Sequence, residues 1–180
     1  MAKGNSWRTR NDKGPYHRYR TIVKRELKSK PQYSLDELYI SPFSQKKRYD
    51  EDGRWTYVNI EHRMCPTGIN IMDDYLRYLS EGQSDMQAFA DRHGLKTEEL
   101  AALVFILTGM KGVRFRQLFQ VHIADDLLQF TDLTFEEIAT RSGLGSPNNL
   151  YLSLRREYNM SASERRLFLR KAGDLGRYRL

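Results

Sequence analysis

LTFEEIATRSGLGSPNNLYLSLRREYNMSASE, residues 133–164, is the stretch whose reading decides the fold. Thr134, followed three residues on by Glu137, forms a capping box that opens a helix carrying Phe135, Ile138 and Ala139. Gly143-Leu144-Gly145-Ser146 then makes a tight turn. Ser146 is placed to cap a second helix, and Pro147 stands where a first helical position tolerates it. Leu150 and Leu154 recur four apart on one face, so that face is core. The helix stops at Tyr158-Asn159, asparagine being the non-glycine residue best suited to a left-handed cap. A further helix is expected from about Ser161 to Ala172. Short helix, tight turn, second helix is the outline of a helix-turn-helix unit.

Upstream the same outline recurs. Ile71, Tyr75 and Leu79, with Met72 and Leu76 alongside, form one apolar stripe of a helix that Glu81-Gly82-Gln83 stops. Ser84 is a candidate cap for a helix bearing Met86, Phe89 and Ala90, and Gly94 suits its C-terminal turn. A helix over about Thr97–Leu107 ends at Thr108-Gly109, and a longer one runs from about Val113 to Phe130. The expected fold is therefore mainly α: two helix-turn-helix subdomains joined by a linker helix over residues 69–171. On periodicity alone, a plain helical bundle fits as well as a DNA-binding pair.

Residues 1–68 form a small basic N-terminal extension. Its first 17 residues are polar and basic, and Tyr19–Ser29 can form a short helix. Asp50-Glu51-Asp52-Gly53 is a turn signal before Trp55-Thr56-Tyr57-Val58-Asn59-Ile60, an alternating run read as one arm of a β-hairpin. Residues 172–180 read as a basic tail. Charge follows this division: residues 1–68 hold 15 Lys and Arg against 8 Asp and Glu, residues 69–140 hold 6 against 12, and residues 141–180 hold 9 against 3. A polyanion is thus expected at the two ends of the chain, not at its middle. No apolar run approaches the roughly 20 residues that a membrane span needs, and the N-terminus does not read as a secretory signal. Cys65 is the one cysteine, which fits a reducing cytoplasm and a buried thiol.

The segment from Leu133 to Glu164, together with Ala124-Asp125-Asp126-Leu127-Leu128 and Gly109 upstream, resembles the signature of the AraC/XylS family of bacterial transcription regulators. The resemblance implies a double helix-turn-helix with double-stranded DNA as partner, and a cytoplasmic, nucleoid-associated location. It does not reach residues 1–68, which are too short for the effector domain that many relatives carry. The second helix of each unit is implied to enter the major groove. In the second unit this presents Asn148, Asn149, Tyr151 and Leu152 to base edges. Asparagine can pair with adenine through both atoms of its amide. Ser146, Arg155 and Arg156 are then placed for phosphate. The bland alternative is that asparagines near a helix start are capping residues.

The first unit departs from this pattern. Its outward reading positions fall on Glu98, Glu99, Ala101 and Ala102, and carboxylates repel phosphate. Phe105, Ile106 and Leu107 fill places that are usually hydrophilic, so this helix is read as packing against the N-terminal region or a partner chain. Leu144 replaces a usual aromatic residue and Ala162 a usual proline, both keeping the small or apolar character needed.

Arg8, Arg10, Arg18 and Arg20, among Trp7, Tyr16 and Tyr19, suit an arm that follows DNA phosphates; a solubilising tail is the other reading. Homodimerisation through the N-terminal region is expected, because an isolated hairpin seeks a partner surface. The sequence makes no case for an enzyme or a cofactor. His17, His62, His93 and His122 are scattered, and Asp125-Asp126 point to different sides of one helix. Two functions remain open: a DNA-reading regulator using mainly its second unit, or an adaptor on the same scaffold whose first unit holds a protein partner.

Overall fold

Capping side chains fix where the helices begin. The computed structural model describes residues 30–61 and 67–180. The basic-arm residues Arg8, Arg10, Arg18 and Arg20, the expected helix over Tyr19–Ser29, and Cys65 lie outside the described residues. Ser34 and Glu37 close a capping box on a four-residue helix, α1 (Leu35–Leu38), which the Pro-flanked sequence did not announce. The hairpin follows as β1 (Gln45–Tyr49) and β2 (Trp55–Asn59), antiparallel, with Lys47 opposite Tyr57.

The first unit comprises α2 (Asn70–Ser80), α3 (Met86–Arg92) and α4 (Thr97–Thr108). The cap of α3 is Asp85, whose carboxylate accepts from the Gln87 and Ala88 amides, and not Ser84 as the sequence suggests. A carboxylate one residue nearer the helix outcompetes the hydroxyl and also meets the helix dipole. Gly94 and Gly109 take the left-handed conformations that end α3 and α4. The linker α5 (Gly112–Phe130) runs 19 residues, and the second unit comprises α6 (Phe135–Arg141) and α7 (Pro147–Tyr158). Thr134 and Glu137 form the expected box, Ser146 caps α7, and Asn159 adopts φ 57° at its end. The last helix, α8 (Ala162–Leu169), stops three residues short of the expected Ala172.

It stops there because the chain turns back to make β3 (Tyr178–Arg179), which pairs with β1 and completes a sheet of order β2-β1-β3. Where a basic tail was expected, residues 172–180 close the fold. Tyr178 stacks on Phe43 at 5.3 Å and meets Phe130, the last residue of α5, edge-on at 4.7 Å. Asp174, nearly buried, accepts from Gln129 at 2.8 Å and from the Lys171 amide at 2.9 Å. These donors hold its carboxyl below the usual range, the Gln129 bond foremost.

The core is organised on α5. Phe115, Phe119, Ile123, Ala124, Leu127 and Leu128 are fully buried, and the helix is apolar on more than one side because both units and α1 pack on it. Burying each large side chain contributes about 1.5–3 kcal/mol. Its two adjacent carboxylates point apart, as their spacing requires. Asp125 takes two bonds from Arg165 of α8, at 2.9 and 2.7 Å, while Asp126 accepts from Tyr39 at 2.7 Å and Ser41 at 2.9 Å. Burial pushes the Asp126 carboxyl above its ordinary range, more than those two donors pull it down.

The two units also touch directly. Gly82, after α2, sits so close to the end of α6 that a Cβ there would lie 2.3 Å from the Arg141 carbonyl oxygen. Gly143 packs on Gly82 in return, and Gln120 of α5 donates to the Gly143 carbonyl at 2.7 Å. One turn earlier on α5, Arg116 donates to the Ser84 carbonyl at 2.7 Å. The linker thus grips the loop between α2 and α3 of one unit and the turn of the other with side chains four residues apart, on one helical face.

Candidate nucleic-acid interface

The outward face of α7 is an exposed surface that the fold holds in fixed register. Leu150 and Leu154 are fully buried and lock the helix against the core. Ser146 accepts from the Asn149 amide at 3.2 Å, which fixes the first turn. Asn148 stands exposed at the helix start, and Tyr151 and Leu152 are 43% and 49% exposed one turn on. These residues share one face, and Arg155, whose guanidinium lies 5.9 Å from the Tyr151 ring, continues it.

Asn149, also exposed, makes a contact within the protein. Its side-chain NH2 donates to the Leu144 carbonyl at 2.9 Å, bracing the turn between the helices. That bond uses one of the two N–H donors and holds the amide toward the turn, which restricts how it can approach a base. Of the two asparagines singled out in the sequence, Asn148 alone is placed with its side chain free of a turn contact. Arg155 donates to the Asn159 carbonyl at 2.7 Å, and Arg156 donates to Gln117 of α5 at 3.1 Å. Both arginines are exposed, flanking the face at the far end of α7.

The corresponding helix of the first unit, α4, offers an acidic and apolar surface. Glu98, Glu99 and Ala102 are exposed, whereas Ala101 is half-buried against Gly112 at the start of α5. Of the three apolar residues expected to pack against the N-terminal region or a partner, Leu107 is in the core, 3% exposed. Its carbonyl accepts from the amides of Gln32 and Tyr33, so the N-terminal segment covers this end of α4. Leu107 is therefore a structural residue, turned inward by a helix with apolar residues on opposite sides. Phe105 is half-buried and Ile106 is 54% exposed.

Two further features escaped the sequence reading. One is a polar groove of about 290 Å3 between α5 and α7, lined among others by Arg116, Gln120, Asn149 and Arg156. The signal was the four-residue spacing of Arg116 and Gln120 on a helix otherwise read only for its apolar positions. The other is an array of cations on aromatic rings across the sheet, with Lys47 4.2 Å from the Trp55 ring and Arg179 3.8 Å from Tyr57. That array needs β3, which was not legible. Among the described residues, no three His, Cys, Asp or Glu side chains gather as a metal set, and no helix is long and apolar enough to cross a membrane.

With this geometry in view, solved structures supply the comparison. The C-terminal domain of AraT, a response regulator from Geobacillus stearothermophilus, aligns with a TM-score of 0.52. The alignment covers 62% of this chain and 92% of that one at 16% identity, a likeness of fold. The chain is a multi-helix protein of helix-turn-helix type. The C-terminal domain of the two-component response regulator yesN from Fusobacterium nucleatum aligns at 0.48, with 18% identity over 54% of this chain and 94% of that one. The DNA-binding domain of AdpA, a global transcriptional factor solved in complex with a target DNA, aligns at 0.49, with 26% identity over 55% and 88%. No family model matches the chain, and no curated protein matches it.

Proposed function

We propose that this protein is a sequence-specific DNA-binding transcription regulator of AraC type, acting in the bacterial cytoplasm and reading the major groove mainly with α7. The observation that carries the reading is the outward face of α7. Asn148, Tyr151 and Leu152 stand exposed at its N-terminal half, while Leu150 and Leu154 fix the helix from beneath. A helix presented this way fits a groove of about 12 Å, with its first turns toward the bases. Asn148 offers a donor and an acceptor to adenine. Tyr151 and Leu152 offer apolar contact to a thymine methyl. Arg155 and Arg156 reach for the sugar-phosphate edge.

The alternative, an adaptor that holds a protein partner on the first unit, draws on the exposed Glu98 and Glu99 of α4, which oppose phosphate. Fluorescence anisotropy at fixed salt separates the two. A duplex recovered by selection should bind at least about 1,000-fold tighter than a random duplex, the lower end for specific regulators. A ratio near one favours the adaptor.

A further inference from the structure

We propose that the groove between α5 and α7 is a phosphate site, taking one backbone phosphate of the DNA where the duplex passes between the two helix-turn-helix units. The inference rests on the reading of α7 as the DNA-contacting helix and adds a contact made by the linker.

Three observations carry it. The first is charge. The groove of about 290 Å3 is lined by Arg116 from the linker and Arg156 from α7, and no Asp or Glu lines it. Three other arginines are neutralised, Arg114 by Glu157, Arg165 by Asp125 and Arg170 by Asp132, whereas Arg141 and Arg155 form no ion pair among the described residues. Arg116 and Arg156 belong to no ion pair among the described residues. The groove therefore holds two guanidiniums and no carboxylate in one concavity, which raises the local potential for an anion.

The second is preorganisation. Arg116 is held by its bond to the Ser84 carbonyl, and Arg156 by its bond to Gln117, whose side chain also lines the groove. Guanidiniums already fixed lose little freedom on binding, and their planar forks match phosphate oxygens. Ser153 and Gln120 add neutral polar groups to the lining.

The third is position. Asn149 and Leu152 line the groove on one side and belong to the first turns of α7 on the other. A helix seated in a major groove has the sugar-phosphate backbone along its flank. Ser84 of the first unit and Gly143 of the second both line the groove, so it lies where the two units meet. Its volume sits at the lower limit for small-molecule sites, about 300 Å3. It suits a phosphate group better than a larger effector.

Methylphosphonate scanning of a selected duplex tests this without touching the protein's fold. Neutralising one particular phosphate should weaken the wild-type protein about 10-fold, and that penalty should vanish in Arg116→Gln and in Arg156→Gln. Each variant should also lower the slope of log affinity against log salt by about 0.9. Penalties that add independently in the variants at every position overturn the proposal. A free phosphate compound is the other source of the same chemistry. Titrating the full chain with inorganic phosphate, followed on the arginine Nε–H NMR signals, distinguishes it. Signals of Arg116 and Arg156 that saturate while the DNA scan stays flat overturn the DNA assignment in favour of a free anion, and no response in either arm removes the site. Failure of the functional reading looks different: no duplex is then preferred over random DNA by any variant.

Discussion

Replacing Gly82 with alanine probes whether the two helix-turn-helix units form one rigid body. Gly82 has φ +77°, and a Cβ would lie 2.3 Å from the Arg141 carbonyl oxygen, well inside any real contact. Two penalties therefore stack. The left-handed backbone costs alanine about 1–2 kcal/mol. Relieving the overlap demands a shift of backbone against backbone across the contact between units, and overpacking of this kind costs about 1–3 kcal/mol more. Gly94 is the matched control, because it has φ +68° with nothing within 4 Å of a built Cβ. Gly94→Ala should lose only the first penalty. Urea denaturation followed by circular dichroism, with the m-value checked for constancy, gives both numbers. The expected difference between the variants is about 1–3 kcal/mol, or roughly 2–12 °C in Tm for a chain of this size. Equal destabilisation refutes the reasoning, because it means that the units part at no cost.

Other expectations are sharp as well. Asn148→Ala should cost about 1–3 kcal/mol of discrimination at one base pair without changing stability, read by anisotropy on single-substitution duplexes. Asn149→Ala should instead lower stability by about 1 kcal/mol through its lost bond to Leu144, measured by urea melts. Asp125→Ala should lose about 2 kcal/mol, because it strands Arg165, whose side chain is only 12% exposed in the pair. Asp126 has the opposite sign to a paired carboxylate. Its pKa is raised in the fold, so its contribution is fully present below the ordinary carboxylate pKa and is lost as pH rises through the folded value. Asp126→Asn should accordingly gain stability at pH 7 relative to wild type, a gain that fades toward pH 3.5. A wild-type advantage at pH 7 would contradict the sign.

The second unit was legible in the sequence almost residue by residue, because its signals are local. The Thr134–Glu137 box, Pro147 at the first helical position and Asn159 in the left-handed region each depend on a few neighbours. What escaped depends on distant ones. The strand at Tyr178 forms only because Phe43 and Phe130 make a place for its ring, and the short helix α8 stops to let the chain return. The sequence leaves Leu107 to pack against either the N-terminal region or a partner chain, because periodicity cannot choose between these when a helix is apolar on opposite sides. The family resemblance implies that both Asn148 and Asn149 lie on the reading face. Only the distance from Asn149 to the Leu144 carbonyl shows that one of them braces the turn.

The account depends on α7 meeting base edges. Site selection from a random duplex library, run in parallel with the full chain and with an Asn148→Ala/Tyr151→Ala variant, measures this directly. The wild-type chain should recover a motif about one major groove long, and the variant should lose preference at the adjoining positions while keeping its fold. An identical motif from both proteins would contradict it.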